Sequence, residues 1–148
     1  MAKWLTVASI VWPVMLGLAA AQRISGGPAR AAAFVYAAAS HVCHQKPERS
    51  FHTAGVSWPV CARCSGLYLA APIGAFAALL TRRRPLSRSK LLTVLAVACA
   101  PSLITFTTEF VGLITTTNMV RAVAALPAGA MLAVTLVRTA AGAPEAIE

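Results

Sequence analysis

The sequence predicts an all-α integral membrane protein with about four transmembrane helices and a short interfacial helix. Three observations predict it. Of 148 residues, 58% are hydrophobic and only 11% are charged, about half the charged share of an ordinary soluble domain. The apolar residues fall in long blocks instead of alternating faces, which weighs against a soluble domain with a greasy core. Five of the thirteen basic residues (Arg82, Arg83, Arg84, Arg88 and Lys90) share one short tract between two apolar blocks. That is the pattern of a cytoplasmic loop. The net charge of +9 therefore points to membrane topology and not to nucleic acid, for which no folded polar face is available. There is no internal repeat and no extramembrane tract long enough for a second domain, so residues 1–148 read as a single membrane domain.

Each element has its own signal. Residues 4–22 carry no charge, follow Lys3 and are long enough to cross the hydrocarbon core. Pro13 is expected to kink this helix, which a neighbouring helix can accommodate. The small residues Ala19, Ala20 and Ala21 would also suit a cleaved signal peptide. The length of the run, and the three membrane segments that follow it, favour a retained anchor. After a polar break containing Ser25, Gly26, Gly27 and Pro28, residues 30–42 are alanine-rich and form a helix too short to cross. It should lie at the interface or pack as a partial insertion. Residues 41–66, HVCHQKPERSFHTAGVSWPVCARCSG, hold three of the four cysteines and all three histidines. Pro47 ends any helix, and Gly55, Ser57 and Pro59 predict loop geometry. A second membrane helix runs over about 60–80, where Gly66 and Gly74 let another helix approach closely. The basic tract follows. The third helix, about 91–112, is interrupted by Pro101 and becomes polar at Thr105, Thr107, Thr108 and Glu109. Cys99 lies deep within it and is expected simply to pack. Thr115, Thr116, Thr117 and Asn118 make a polar turn. The fourth helix, about 119–138, starts with Arg121 and contains Pro127.

Orientation follows from the basic residues. With the 82–90 tract in the cytoplasm, both termini are cytoplasmic and the 41–66 stretch faces outside. The totals are close, seven basic residues inside and six outside, so the dense tract beside two helix ends decides. The expected location is a bacterial inner (plasma) membrane, crossed several times, with the lipid bilayer as the main partner.

The 41–66 stretch carries the chemistry. Cys61 and Cys64 form a C-x-x-C pair at the start of a membrane helix, and a spacing of three puts both sulfurs on one helical face. Seventeen residues separate Cys61 from Cys43, which is followed by His44. Three thiolates and an imidazole make a Cys₃His set that suits tetrahedral zinc. His41, His52 and Glu109 compete with His44 for the fourth position. The other readings are a redox pair or plain disulfide in an oxidising compartment and inert packing. A thiol at a helix N-terminus is stabilised as thiolate, and Arg63 and Arg49 are expected to lower the thiol pKa further. Glu109 and Arg121 should fall on the same side of the membrane as the cysteines. They pair with each other there, or else Glu109, with Thr105 and Thr108, adds an acceptor to the site.

The strings CHQKPERSF and CARCSG, in that order and joined by a short loop, resemble the domain of unknown function 2085, a family of small bacterial predicted membrane proteins. The likeness covers roughly residues 43–129. It rests on Cys43, His44, Gln45, Pro47, Arg49, Ser50, Cys61, Arg63, Cys64 and Gly66. Pro101, Gly112, Asn118, Arg121 and Gly129 carry it more weakly. The chain departs from the family pattern at Thr105 and Phe106, where an Asp-Gly would fall, and at Glu109, where a Gln would fall. The resemblance implies a membrane location and a functional Cys/His cluster, with Glu109 able to stand in for the missing Asp from one helical turn away. It implies no reaction.

The leading expectation is a protein that binds a metal, zinc first, at its outer face through Cys43, His44, Cys61 and Cys64, supported by Arg49, Arg63, Glu109, Asn118 and Arg121. The second is a quinone-linked thiol–disulfide oxidoreductase with Cys61 and Cys64 as redox pair and Cys43 as shuttle, an analogy of architecture alone. The third is an accessory subunit whose small-residue helices pack against a membrane-protein partner or a second copy.

Overall fold

The computed structural model describes residues 1–27, 29–81 and 87–142. Most of the basic tract, residues 82–86, and the tail at 143–148 lie outside the described residues, as does Pro28. The order is α1 (Ala2–Ile24), α2 (Ala29–Ser40), a 3-10 turn (Pro47–Arg49), β1 (Ser50–Thr53), β2 (Val56–Cys61), α3 (Ala62–Leu80), α4 (Arg88–Phe110) and α5 (Asn118–Gly142). Among the described residues four helices, α1, α3, α4 and α5, are long and apolar enough to span a bilayer. Each continues through an internal proline: Pro13, Pro72, Pro101 and Pro127.

The bundle is built on the α3–α5 pair, its most extensive helix contact. Between apolar helices in lipid the hydrophobic effect gives little drive, so close backbone packing has to hold them. Small residues permit it. A Cβ on Gly66 would stand 2.1 Å from the carbonyl oxygen of Ala122, one on Gly74 2.1 Å from that of Ala130, and one on Gly129 2.2 Å from that of Leu67. The expectation of a close approach at Gly66 and Gly74 is met on α5. Helix α1 packs against α3 and α5, with Ala2 beside Ala75, Ala78, Ala133 and Val137. Its N-terminus therefore lies with the C-terminal ends of α3 and α5, at the end of the bundle away from the cysteines. Helix α4 touches α5 along part of its length and is otherwise open, only 6% of its span being buried; in a bilayer that surface meets lipid.

Where loop geometry is expected around Gly55, Ser57 and Pro59, the chain forms an antiparallel hairpin. Thr53 pairs with Val56, His52 with Ser57 and Ser50 with Cys61, with an irregularity between Ser50 and His52. Ala54 and Gly55 make the two-residue turn, at φ +48° and +76°, the left-handed pair that a tight hairpin needs. An isolated two-stranded hairpin is marginal, and this one is fastened to the helices. The Tyr36 hydroxyl donates to the Ser57 carbonyl at 2.7 Å, and Asn118 Nδ2 donates to the Ser50 carbonyl at 2.8 Å. Pro59 is tolerated because a two-stranded sheet has only edge strands; Pro59 and Val60 are fully buried. Helix α2 buries Ala32, Val35 and Ala39 against Leu16 and Ala19 of α1 and Val60 of the hairpin.

Candidate metal centre

Cys43 follows the end of α2. Its N–H donates to the Ala39 carbonyl at 2.9 Å, so the last helical turn fixes its backbone. Two residues on, Gln45 adopts φ +48°, unusual for a residue with a side chain. Its Nε2 donates to the Tyr36 carbonyl at 2.7 Å and to the Pro59 carbonyl at 2.8 Å. One amide thus satisfies a carbonyl near the end of α2 and a buried one of β2, tying the Cys43 loop to the strand that delivers Cys61. The hairpin then closes the distance along the sequence: Ser50 lies opposite Cys61.

Cys61 is the N-cap of α3, with extended backbone (φ −67°, ψ 160°), and not a residue of the helix itself. Cys64 is the third helical residue. N-cap and third-position side chains face each other in the capping geometry that serves Ser and Glu elsewhere, so the C-x-x-C pair meets through the cap. The Cys61 N–H donates to Cys43 Sγ at 3.1 Å. The three sulfurs all lie within 4.8 Å of one another, Cys43 buried and the other two partly so. All are free thiols, as is Cys99 in α4.

The pKa of Cys61 is lowered from the usual 9.0 to about 5. The hydrogen bond from the Cys64 thiol is the main cause. The Cys64 amide, the Cys43 thiol and the Arg63 amide also lower it, against burial, which raises it. Arg63 thus lowers it through its backbone N–H and not, as expected, through its charge. The Arg63 guanidinium turns away from the sulfurs: its Nη2 lies 3.3 Å from Thr105 Oγ1 and 3.5 Å from Glu109 Oε2, and it covers the Phe106 ring at 5.5 Å.

Glu109 is the hub of the neighbouring polar cluster. Its side chain is 6% exposed, and Oε1 accepts from Arg121 Nε at 2.8 Å, from the Thr116 N–H at 3.2 Å and from the Thr116 hydroxyl. The expected Glu109–Arg121 pair is present and is extended by Arg63. Arg121 Nη1 donates to Asn118 Oδ1 at 2.7 Å, and Asn118 reaches the hairpin through Ser50. One network therefore joins α3, α4, α5 and β1. Glu109 Oε2 and Arg63 Nε are buried without a hydrogen-bond partner.

Cysteines and basic network share a cleft of about 540 Å³. Cys43, Cys61 and Cys64 lie on its wall with His44, Lys46, Arg49, Arg63 and Arg121, and Val42, Phe106 and Phe110 form the apolar side. His44 lines this cleft but is not among the donor atoms that lie within 4.8 Å of one another, and neither are His41, His52 or Glu109. His41 and His52 are exposed, and His52 Nδ1 lies 3.1 Å from the Ser50 carbonyl. Sequence reasoning did not single out Tyr36 as a fastening residue. Gln45 entered only through the family string; no spacing rule gives its left-handed turn.

Four ligands around zinc at Zn–S about 2.3 Å place neighbouring sulfurs roughly 3.8 Å apart. A trio already within 4.8 Å needs only side-chain adjustment to reach that.

Residues 43–135 match a family described as predicted membrane protein, domain of unknown function 2085. The match starts at Cys43 and takes in all three clustered cysteines and the Glu109 network. An uncharacterized protein of Methanothermobacter thermautotrophicus is 38% identical over 94 residues, 64% of this chain and 83% of that protein. An uncharacterized protein of Methanocaldococcus jannaschii is 32% identical over 95 residues, 64% of this chain and 61% of that protein. These relatives are archaeal, so the likeness is wider than the bacterial one the motif implied. No solved structure matches.

Proposed function

We propose that this chain, which belongs to the domain of unknown function 2085 family of predicted membrane proteins, binds a thiophilic divalent metal, zinc first, through Cys43, Cys61 and Cys64. The observation that carries the reading is the convergence of three free thiols within 4.8 Å, from a loop, a helix cap and a helix turn. A family match and four apolar spans make it a multi-pass membrane protein. The fourth position faces the cleft. Filled by His44 it gives a closed Cys₃His site, the structural type; left to water it gives the open type that permits chemistry or hand-over. The basic tract near α4 supports an arrangement with both termini in the cytoplasm and the site on the outer face of the plasma membrane.

A second reading has one observation in its favour. Cys61 at the N-cap of α3 and Cys64 in its first turn hold their sulfurs within 4.8 Å of each other, the placement of a reactive dithiol. In that reading Cys61 and Cys64 close a disulfide, and two electrons and two protons pass to a quinone.

One preparation tests both. The protein is purified in mild detergent without chelator, its metal content is measured by mass spectrometry, and thiols are counted before and after chelation and reduction. One metal per chain, with three thiols becoming reactive on chelation, is the expected result. Cys43→Ser, Cys61→Ser and Cys64→Ser should each abolish stoichiometric metal, and His44→Ala should decide between the closed and open forms. A metal-free protein whose Cys61–Cys64 disulfide is regenerated by a quinone would replace the first reading with the second. Three reduced, unreactive thiols without metal would refute both.

A further inference from the structure

The cleft has a cationic wall that metal binding does not use. Lys46 and Arg49 line it from the turn before β1, Arg63 from the first turn of α3 and Arg121 from the first turn of α5. Among the described residues Glu109 is the one carboxylate that engages these cations, through Arg63 and Arg121. Among the described residues no acidic side chain lies within 4.0 Å of Lys46 or Arg49. Four cations against one carboxylate leave the wall strongly positive, and three thiolates around a divalent metal would remove only one further unit. Arg63 Nε, moreover, is a buried donor without an acceptor.

The rest of the lining is apolar: Val42, Phe106 and Phe110, with the Arg63 guanidinium over the Phe106 ring at 5.5 Å. Phe106 and Phe110 stack with centroids 6.1 Å apart and are 45% and 81% exposed. They lie on α4, the helix with least cover from the rest of the chain. The cavity, about 540 Å³, falls within the range of roughly 300–1,000 Å³ usual for small-molecule sites. It sits at the end of the bundle where α3, α4 and α5 meet the hairpin.

We propose that this cleft binds the phosphate group of a membrane-soluble ligand, with Lys46, Arg49, Arg63 and Arg121 around the phosphate and the ligand's hydrocarbon along Phe106 and Phe110. Phosphate fits better than carboxylate. Arg63 and Arg121 give part of their forks to Glu109, Thr105 and Asn118, yet with Arg49 and Lys46 the remaining donors exceed what two carboxylate oxygens can use, whereas a phosphate presents several oxygens at once. The inference goes beyond metal binding and needs only the basic and aromatic walls. A free phosphate has the same polar chemistry, so the test separates the two sources.

The full chain, purified in a neutral maltoside detergent with its metal content measured on the same sample, is titrated with dodecyl phosphate and with inorganic phosphate, and bound ligand is counted by native mass spectrometry. One dodecyl phosphate per chain is expected. Lys46→Gln and Arg49→Gln should each weaken it roughly tenfold, the usual loss for one charge-assisted hydrogen bond. The Lys46 side chain is exposed, so its replacement leaves the fold intact. Competition by inorganic phosphate at similar concentration supports the phosphate site and assigns it to a free phosphate. Absence of competition supports it and assigns the amphiphile. Failure to bind one equivalent, or affinities within twofold of the parent in both variants, overturns the proposal. Bound metal with no phosphate binding refutes this proposal alone, and phosphate binding without metal refutes the metal reading alone.

Discussion

Alanine at Gly66 is the sharpest test of how α3 and α5 hold the cysteines in place. The added Cβ would lie 2.1 Å from the Ala122 carbonyl oxygen, 2.8 Å from its carbonyl carbon and 3.0 Å from its Cα. Ordinary contact begins at 3.4 Å, so the helices must part by about 1.3 Å at that level, the difference of those two distances. The obstacle is backbone and has no rotamer to change. Overpacking of this kind costs about 1–3 kcal/mol, sometimes more, and the better helix propensity of alanine returns up to about 1 kcal/mol. A net loss of about 1–2 kcal/mol is expected. Gly17 in α1 is the internal control: a Cβ there meets nothing within 4 Å, so Gly17→Ala should gain up to about 1 kcal/mol from propensity alone. The assay is unfolding in mixed maltoside–dodecyl sulfate micelles followed by circular dichroism, with metal content measured alongside. Cys64 is two residues from Gly66, so parting the helices should also lower metal occupancy. A Gly66→Ala protein as stable as the parent, or one that tracks Gly17→Ala, would refute the argument that this backbone contact holds the bundle.

Two more outcomes follow from the site. In metal-free protein Cys61, with its pKa lowered to about 5, is thiolate at neutral pH and remains so into mild acid. Its iodoacetamide alkylation rate should therefore be near plateau at pH 7 and fall only as pH drops through about 5, whereas the denatured chain shows a midpoint near the usual 9.0; a midpoint above 8 in the folded protein contradicts the hydrogen-bonded cluster. Glu109→Gln preserves shape but leaves Arg63 and Arg121, 18% and 13% exposed, without a counter-charge. A loss of about 3 kcal/mol in the same unfolding assay is expected, since removing one partner strands the other buried charges, and a change below about 0.5 kcal/mol would mean that the pair is solvated.

Much of this was legible in the chain. Long uncharged runs give the four spans because a bilayer admits little else. The close α3–α5 contact was announced by Gly66 and Gly74, and the pairing of Glu109 with Arg121 by the cost of leaving either alone. The hairpin was hidden, because Gly55 and Pro59 are read locally as breakers while what stabilises the strands is remote. Asn118 reaches Ser50 across 68 positions and Tyr36 reaches Ser57 across 21, and no periodicity reports such contacts. The cysteines were visible as a trio, but helical spacing misassigned how they meet. Cys61 caps the helix from outside it, and Arg63, adjacent in sequence, spends its charge on Glu109.

The hairpin tip also gives access to a question of compartment. Ala54 and Gly55 are exposed, the backbone there is already left-handed, and a Cβ on Gly55 would meet nothing within 4 Å. Such tips accept inserted sequence readily. Strand β2 runs from this tip directly into Cys61, so tip and thiols share one aqueous phase. A short epitope placed between Ala54 and Gly55 would thus serve as a sidedness reporter: whichever face of a sealed vesicle binds the antibody is the face whose metal supply and redox poise the three thiols experience.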